Sequence, residues 1–285
     1  MIRVSIDGVI TDASAASVSV LDRGFLFGDS VFEVLRTYGG VPRPERLHLE
    51  RLARSCERVG IELPVSLPML SEEIRAVLAV AGEPEAWIRV VVTRGTGPIT
   101  FDVRTAHDPR RVVIVQPLVT PPDEVYAAGV AVAIATTARA LDPSAAAGAK
   151  NSNYLKNLLA ADEARRHGGY EAVLIGPGGE LLEGASSNLF VVRDGVVLTP
   201  PLELGILGGI TRAVVLDAAR ALGIETRERV LFPHDLYTAG EAFLTSSIRE
   251  VVPIVRADGA TIGSGLPGPL APRLRAAYRE AVATE

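Results

Sequence analysis

The sequence is poor in the residues from which disulfides and metal sites are built. Of its 285 residues only Cys56 is a cysteine, so no disulfide can form within the chain and no thiolate cluster can hold a structural metal. The four histidines are scattered, with no pair at the spacing of metal ligands: His48, His107, His167 and His234. The sequence therefore predicts neither a metal centre nor a serine–histidine catalytic triad.

Long apolar runs and an excess of positive charge are also lacking. No stretch approaches the roughly 20 apolar residues that a membrane-spanning helix needs, and the N-terminus has no basic-then-apolar signal pattern. The formal net charge of −5 offers no broad basic surface to nucleic acid or anionic lipid. Since the chain has 48% hydrophobic and 22% charged residues, we expect an ordinary globular, cytoplasmic protein with small-molecule partners, no nucleic acid and no membrane.

Lysine is scarce. It occurs only at positions 150 and 156, so all but two of the 29 basic residues are arginines. An amine can lose its proton and act as a nucleophile, which a guanidinium cannot do. Lys150 follows a run of small residues and precedes a helical pattern, so it is the candidate nucleophile. Lys156 lies inside that pattern and is predicted to be solvated.

Strand and helix patterns alternate along the chain and predict a mixed α/β (α+β) fold in two domains. The segment 117–123 interrupts both patterns. We therefore predict an N-terminal small α/β domain at 1–117, a linker at 118–128 and a strand-rich C-terminal α/β domain at 129–285. Helices are predicted at 44–59, 71–81 (with Ser71 as N-cap), 152–167, 211–222 and 269–282. Strands are predicted at 1–10, 30–38, 87–93, 112–116, 130–136, 171–175, 180–183, 188–193, 196–199, 224–229 and 242–245.

Three segments in the second half carry polar groups suited to holding a ligand. Gly208-Gly209-Ile210-Thr211-Arg212 opens a predicted helix, where unpaired N–H groups favour an anion such as phosphate, although a plain helix cap has the same pattern. Glu183 places a carboxylate at a strand end, with a surface role as the alternative. Thr245-Ser246-Ser247 ends a strand with three hydroxyls, more than a strand end requires.

In this order, these segments resemble the fold-type IV pyridoxal phosphate enzymes. That group holds D-amino acid, branched-chain and (R)-amine transaminases and aminodeoxychorismate lyases. The matching motifs span nearly the whole chain: Asp22-Arg23-Gly24-Phe25-Leu26-Phe27-Gly28-Asp29, Val31-Phe32-Glu33, His48-Leu49-Glu50-Arg51-Leu52, Lys150-x-x-Asn153-Tyr154-Leu155, Glu183-Gly184-x-x-Ser187-Asn188-Leu189-Phe190, Leu207-x-Gly209-Ile210-Thr211-Arg212, and Thr245-Ser246-Ser247 with Glu250 and Pro253. The resemblance implies the two-domain fold of that group and pyridoxal 5′-phosphate as cofactor.

The resemblance also implies a role for each matching residue. Lys150 is expected to form the Schiff base and to move the substrate proton. Glu183 is expected to pair with the pyridine nitrogen, Leu207 to pack on the ring, and Tyr154 to lie near the phenolic oxygen. The residues implied in binding the phosphate are Arg51, Gly209, Ile210, Thr211, Ser246 and Ser247.

Substrate choice follows less directly from the motifs. Phe32-Glu33-Val34-Leu35 resembles the D-amino acid transaminases, which implies Phe32 and Val34 in the substrate pocket. Those enzymes commonly carry an Arg and a His that grip the substrate carboxylate, where this chain has Ile99 and Phe101. Arg89 and Arg249 are the candidate replacements, because a guanidinium binds a carboxylate with two parallel hydrogen bonds. A structural ion pair is the alternative for each.

The implied reaction is ping-pong transamination through pyridoxamine phosphate. The amino group would move between a D-amino acid, or an (R)-primary amine, and a 2-oxo acid such as 2-oxoglutarate or pyruvate. Three alternatives remain open: an aminodeoxychorismate lyase, a branched-chain L-amino acid transaminase, and an α/β protein that binds a small ligand without chemistry. The resemblance further implies a homodimer with shared active sites, in which residues of 24–29 and 95–102 act in trans.

Overall fold

The computed structural model describes residues 1–139 and 146–285, which form two compact units. The first unit comprises Met1–Val119 with Ser144–Asn153, and the second comprises Thr120–Pro143 with Tyr154–Glu285. Both units combine helices with a β-sheet, so the predicted mixed α/β class is confirmed. None of the helices in the described ranges is both long and apolar enough to cross a bilayer.

The first unit is an antiparallel sheet with helices on one face. Its elements are β1 (Arg3–Ile6), β2 (Val9–Asp12), α1 (Arg23–Phe27), β3 (Ser30–Tyr38), β4 (Val41–Arg43), α2 (Glu45–Val59), α3 (Leu67–Ala81), β5 (Ala86–Thr93) and β6 (Arg111–Pro117). The strand order is β2-β1-β6-β5-β3-β4. The alternation of β5 explains the layering, because Ile88, Val90 and Val92 are buried in the core while Trp87, Arg89 and Val91 point to the other face.

The helix α3 begins earlier than its sequence pattern predicts. The pattern predicts Ser71 as the cap, but the N-cap is Ser66, whose hydroxyl accepts a hydrogen bond from the N–H of Met69. Pro68 lies in the first turn, where its missing N–H costs nothing. The predicted N-cap is therefore wrong by five residues, because Pro68 opens this helix instead of interrupting it.

The second unit holds a mixed sheet of nine strands within the described residues. Its elements are α4 (Asp123–Ala128), β7 (Val130–Ile134), α5 (Leu155–Arg166), β8 (Glu171–Ile175), β9 (Leu181–Gly184), β10 (Asn188–Arg193), β11 (Val196–Thr199), α6 (Ile210–Ala221), β12 (Thr226–Glu228), α7 (Pro233–Tyr237), β13 (Glu241–Ser246), β14 (Glu250–Ala257), β15 (Ala260–Thr261) and α8 (Leu270–Ala283). The order is β12-β11-β10-β13-β14-β7-β8-β9, with β15 beside β14. The helix α8 packs against α6, β13 and β14.

Residues 150–152 pack with the first unit, although they follow the segment expected to link the domains. The N–H of Phe32 donates to the carbonyl of Lys150 at 2.9 Å, and the N–H of Ser152 donates to the carbonyl of Ser30 at 3.0 Å. This pairing extends the sheet along the part of the β3 edge that β4 leaves open. The predicted linker at 118–128 contains the helix α4.

Candidate active site

The sheet edge fixes the backbone of Lys150. Besides its pairing with β3, the N–H of Lys150 donates to the hydroxyl of Ser55 on α2 at 3.2 Å. Residues 150 and 32 are opposite partners in an antiparallel pair, so their side chains leave the sheet on the same face. The sequence puts Lys150 between a run of small residues and a helical pattern, and the structure places it on a hydrogen-bonded strand edge.

Four predicted site residues lie together on that face, which we call the amine face: Lys150, Phe32, Val34 and Arg89. The Nζ of Lys150 lies 4.6 Å from the centroid of the Phe32 ring, and the Cζ of Arg89 lies 3.8 Å from the same centroid. Val34 is the cross-strand partner of Arg89. Two basic side chains therefore contact one buried aromatic ring, which gives each of them a defined position.

The opposite face of β3 carries a buried charge cluster that includes Arg51. Arg51 donates from Nε to Oε1 of Glu33 at 2.6 Å and from Nη2 to Oε2 at 2.7 Å. His48 approaches the same carboxylate, with Nδ1 2.7 Å from Oε2. The sequence predicts Arg51 as a phosphate ligand but predicts no role for Glu33. The structure shows that Glu33 holds the Arg51 guanidinium.

The ionisation states in this cluster follow from burial and charge. Burial raises the pKa of Glu33, but the charge and hydrogen bonds of Arg51, with help from His48, outweigh burial and lower the pKa to about 2. Burial lowers the pKa of His48, and the charges of Arg51 and Lys150 lower it further against the opposing effect of Glu33. At neutral pH, Glu33 is therefore an anion and His48 is a neutral ring that donates its Nδ1–H.

In the second unit, Glu183 is oriented by three groups. Its Oε2 accepts hydrogen bonds from the N–H of Leu207 at 3.1 Å and from Nδ2 of Asn188 at 3.4 Å. Its Oε1 accepts from Nη1 of Arg139 at 2.7 Å. The carboxylate is nearly buried, so the ion pair with Arg139 compensates the cost of removing it from water. No sequence signal points to Arg139, because it lies in a stretch without a motif.

The N-terminus of α6 is built to receive an anion. Its N-cap is Gly209, which has no side chain to accept from the first N–H groups. A Cβ at that position would clash with Oδ1 of Asn188, so glycine fits there without displacing the Asn188 side chain. The hydroxyl of Thr211 is 98% buried and has no hydrogen-bond partner among the described residues. An unpaired buried hydroxyl at a helix N-terminus is the donor that a phosphate oxygen would satisfy.

The hydroxyl turn, defined here as residues 246–249, joins β13 to β14. Asn188, which orients Glu183, is the cross-strand partner of Thr245 immediately before this turn. The strands β10 and β13 thus bring the predicted residues Glu183, Leu207 and Ser246 into one region of the second unit. Tyr154 is half-buried at the start of α5, and Lys156 is exposed as predicted.

Arg249 is engaged in a structural ion pair. Its Nη1 lies 2.6 Å from Oε2 of Glu171, its Nη2 donates to Oγ of Ser186 at 2.8 Å, and its Nε donates to Oγ of Ser246 at 3.2 Å. Burial works against the charged guanidinium, but Glu171 outweighs it and raises the pKa of Arg249. Its donors are directed at the protein, which favours the structural alternative for this residue.

Comparison with known protein families places this arrangement in context. The family model for amino-transferase class IV matches residues 30–257. The D-alanine aminotransferase of Bacillus licheniformis is 32% identical over 283 residues, which cover 99% of this chain and 98% of that protein. The branched-chain-amino-acid aminotransferase of Salmonella typhimurium is 34% identical over 276 residues, which cover 92% of this chain and 87% of that protein.

Solved structures agree with these sequence matches. The T.th. branched-chain amino acid aminotransferase with pyridoxamine 5′-phosphate superposes with a TM-score of 0.92 at 30% identity, covering 99% of this chain and 94% of that one. The 4-amino-4-deoxychorismate lyase of Pseudomonas aeruginosa superposes with a TM-score of 0.85 at 30% identity, covering 97% and 98% of the two chains.

Proposed function

Because the chain belongs to the class IV aminotransferases, whose cofactor is pyridoxal 5′-phosphate, we propose that its amino donor is a D-amino acid and its acceptor a 2-oxo acid such as 2-oxoglutarate or pyruvate. The observation that carries this proposal is the amine face, where Lys150 and Arg89 contact the same Phe32 ring. One group there can take a proton and the other can hold a carboxylate.

The residues present fit the cofactor. When bound, pyridoxal phosphate supplies an electron sink that acidifies the hydrogen on the α-carbon of an amino acid. The fit rests on the unpaired hydroxyl of Thr211 and on the glycine at position 209, where a Cβ would clash with Asn188. Thr211, the N–H of Ile210, and Ser246 and Ser247 of the hydroxyl turn would hold the phosphate, with Arg51 as a further charged ligand.

Lys150 is the catalytic base and acid in this proposal. Its amine would take the proton from the α-carbon of the donor and hold it for return within the same half-reaction, while the cofactor would supply the electron sink. The cross-strand pairing with Phe32 keeps the lysine backbone fixed while the side chain carries the proton. Because the same amine serves both half-reactions, its loss removes amino transfer in both directions.

Glu183 is the partner proposed for the ring nitrogen. A carboxylate at that nitrogen keeps it protonated and therefore strengthens the electron sink. The N–H of Leu207 and the amide of Asn188 fix the carboxylate in one orientation. Leu207 would pack on the ring, and Tyr154 would lie near its phenolic oxygen.

Arg89 is the residue we propose for the substrate carboxylate. It lies on the amine face beside Lys150, whereas Arg249 is held by Glu171 and Ser186. Phe32 and Val34 would line the same pocket. Ile99 and Phe101 are strongly exposed and apolar, so neither can bind a carboxylate, and an apolar surface of this kind would suit an (R)-aryl amine.

A branched-chain L-amino acid transaminase is the second candidate, supported by the Salmonella typhimurium relative. The test is turnover of paired D- and L-amino acids with 2-oxoglutarate by the purified holoenzyme, with an (R)-aryl amine as a third donor. Faster turnover of D-alanine than of L-leucine supports our proposal, and the reverse order contradicts it. A lyase is a further alternative, supported by the similarity to the Pseudomonas aeruginosa structure. Release of pyruvate from aminodeoxychorismate without a 2-oxo acid would identify that activity.

A homodimer is part of the proposal. In the first unit, Phe25, Ile99 and Phe101 expose most of their apolar surface, and Phe101 is 92% exposed. In the second unit, Leu155, Leu158 and Leu159 form an exposed apolar stripe at helical spacing on α5. Exposed apolar groups of this size mark protein interfaces, and a second copy of the chain is the partner that family membership supports.

A further inference from the structure

We propose that Glu250 is a positioning residue, which fixes the hydroxyl turn in the conformation that binds the cofactor phosphate. The inference rests on the proposed phosphate role of Ser246 and Ser247. It arises from a residue whose backbone and side chain are both unusual. Glu250 has a φ of 59°, and its side chain is completely buried.

The backbone of Glu250 lies in the left-handed region, where a side chain is disfavoured and glycine or asparagine is usual. Such a conformation persists where the surrounding structure determines it. Glu250 is the first residue of β14 and the cross-strand partner of Ser246, so its backbone closes the hydroxyl turn. A change in the backbone of Glu250 would therefore alter the positions of Ser246, its cross-strand partner, and of Ser247 next to it.

Two arginines of the C-terminal helix hold the Glu250 side chain. The Nε of Arg275 donates to Oε2 at 2.7 Å, and the Nε of Arg279 donates to the same oxygen at 2.8 Å and to Oε1 at 3.0 Å. The arginines are four residues apart, so they lie on one face of α8. A buried carboxylate held by two cations has one stable position, and it transmits the position of α8 to the turn.

Further contacts hold the turn from its other side. The guanidinium of Arg275 stacks on Tyr126, with Cζ 3.3 Å from the ring centroid, and the hydroxyl of Tyr126 donates to the carbonyl of Arg249 at 3.2 Å. Arg249 in turn donates from Nε to the hydroxyl of Ser246. Hydrogen bonds therefore hold the hydroxyl turn at Ser246 and at Arg249. The residues of the turn remain partly exposed, so a ligand can reach them.

The experiment compares two aldehydes that differ only in the phosphate. The holoenzyme is stripped of cofactor and titrated by equilibrium dialysis with pyridoxal phosphate and with pyridoxal. The test variants at position 250 are Glu250→Gln and Glu250→Gly. The glycine variant relieves the backbone strain but removes the carboxylate. At position 279, Arg279→Met is compared with the conservative Arg279→Lys. Glu280→Gln removes an exposed carboxylate from the same helix and is the matched control.

We expect Glu250→Gln and Glu250→Gly to raise the dissociation constant of pyridoxal phosphate about tenfold and that of pyridoxal by less than about twofold. Arg279→Met should show the same selectivity, Arg279→Lys should restore part of the affinity, and Glu280→Gln should change neither constant. Equal losses for the two aldehydes, or unchanged binding of pyridoxal phosphate, would overturn the proposal. If Glu250→Gln does not fold, the Arg279 pair decides by the same criterion.

Thr211→Val and Ser247→Ala separate this inference from the proposed function. If these variants lose pyridoxal phosphate selectively and the Glu250 variants do not, the phosphate site stands and the positioning role is wrong. If neither set is selective, the assignment of the phosphate to α6 and the hydroxyl turn is itself wrong.

Discussion

Arg51 binds both carboxylate oxygens of Glu33 inside the first unit, at 2.6 Å and 2.7 Å. The pair is fully buried on the Glu33 side, and His48 donates a further hydrogen bond to the same carboxylate. A guanidinium held in two places has little rotational freedom. Arg51 therefore has a fixed orientation and a compensated charge before any ligand binds.

Replacing Glu33 by glutamine should destabilise the protein strongly. The change leaves Arg51 buried without its counter-ion, a loss of about 3 kcal/mol in the free energy of unfolding. Denaturant unfolding followed by circular dichroism measures it. The control is Glu50→Gln, which breaks the exposed Arg46–Glu50 pair on α2, the helix that also carries Arg51. It should lower the free energy of unfolding by less than about 0.5 kcal/mol. Equal losses of unfolding free energy in Glu33→Gln and Glu50→Gln would show that the buried pair contributes no more to stability than the exposed one.

Acidification should destabilise the protein through His48 first and Glu33 second. Both groups have a lowered pKa in the folded protein, so the unfolded chain takes up each proton at a higher pH. The stability that His48 contributes is present above pH 6.5 and is lost below it. The stability that Glu33 contributes is present above pH 4.5 and is lost as the pH falls toward 2.

Thermal unfolding across this pH range tests the assignment. The difference in melting temperature between the wild type and His48→Gln should shrink as the pH falls below 6.5. The difference between the wild type and Glu33→Gln should shrink only below about pH 4.5. A constant difference across the range would contradict the protonation states assigned here.

Arg89 and Arg249 should respond differently to substitution. Arg89→Met should raise the KM for a D-amino acid at least about tenfold, because it removes a carboxylate ligand. Arg249→Met should lower the unfolding temperature, because it leaves the buried Glu171 carboxylate without its counter-ion. Steady-state kinetics and thermal unfolding of both variants distinguish the roles. An unchanged KM in Arg89→Met would remove Arg89 from the pocket.

Cys56 should be unreactive in the folded protein. Its thiol is buried in the core of the first unit, and burial raises its pKa to about 11. At pH 8 only about a thousandth of the thiol is then ionised. Iodoacetamide should leave the native protein unmodified by mass spectrometry and should label it fully in denaturant. Rapid labelling of the native protein would contradict this burial.

The exposed apolar side chains should mediate assembly. Light scattering should give twice the chain mass of 30.1 kDa for the wild type. Phe101→Asp and Leu158→Asp place a charge on the two apolar surfaces, so each should shift the mass toward that of a single chain. Val9→Asp, at an exposed position on the edge strand β2, is the matched control and should leave the mass unchanged. A monomeric wild type would refute the proposed dimer.

Local signals predict much of the fold and part of the candidate site. The alternation in β3 and β5 predicts both strands closely, and Gly60 ends α2 where expected because it adopts a left-handed conformation with a φ of 65°. The scarcity of lysine singles out Lys150, and the paired glycines single out the start of α6. Each of these signals is contained in a few adjacent residues.

The features that the sequence does not predict depend on distant partners. The strand β14 is not predicted from the sequence, because Pro253 lies inside it and has no N–H to donate. In the structure β14 nevertheless runs between β13 and β7. Neither Glu33 nor Glu250 has a predicted partner, because Arg51 lies 18 residues away along the chain and Arg275 lies 25 residues away. Spacing within a motif carries no information about such pairs.

The short pairing between residues 150–152 and β3 has a consequence for solubility. An unpaired strand edge exposes N–H and carbonyl groups on which another chain can add a strand. Here the segment that carries the amine proposed for proton transfer also covers that edge, through the hydrogen bonds of Phe32 and Ser152. Substitutions that loosen this segment would therefore disturb the proposed chemistry and, at the same time, open a site for aggregation.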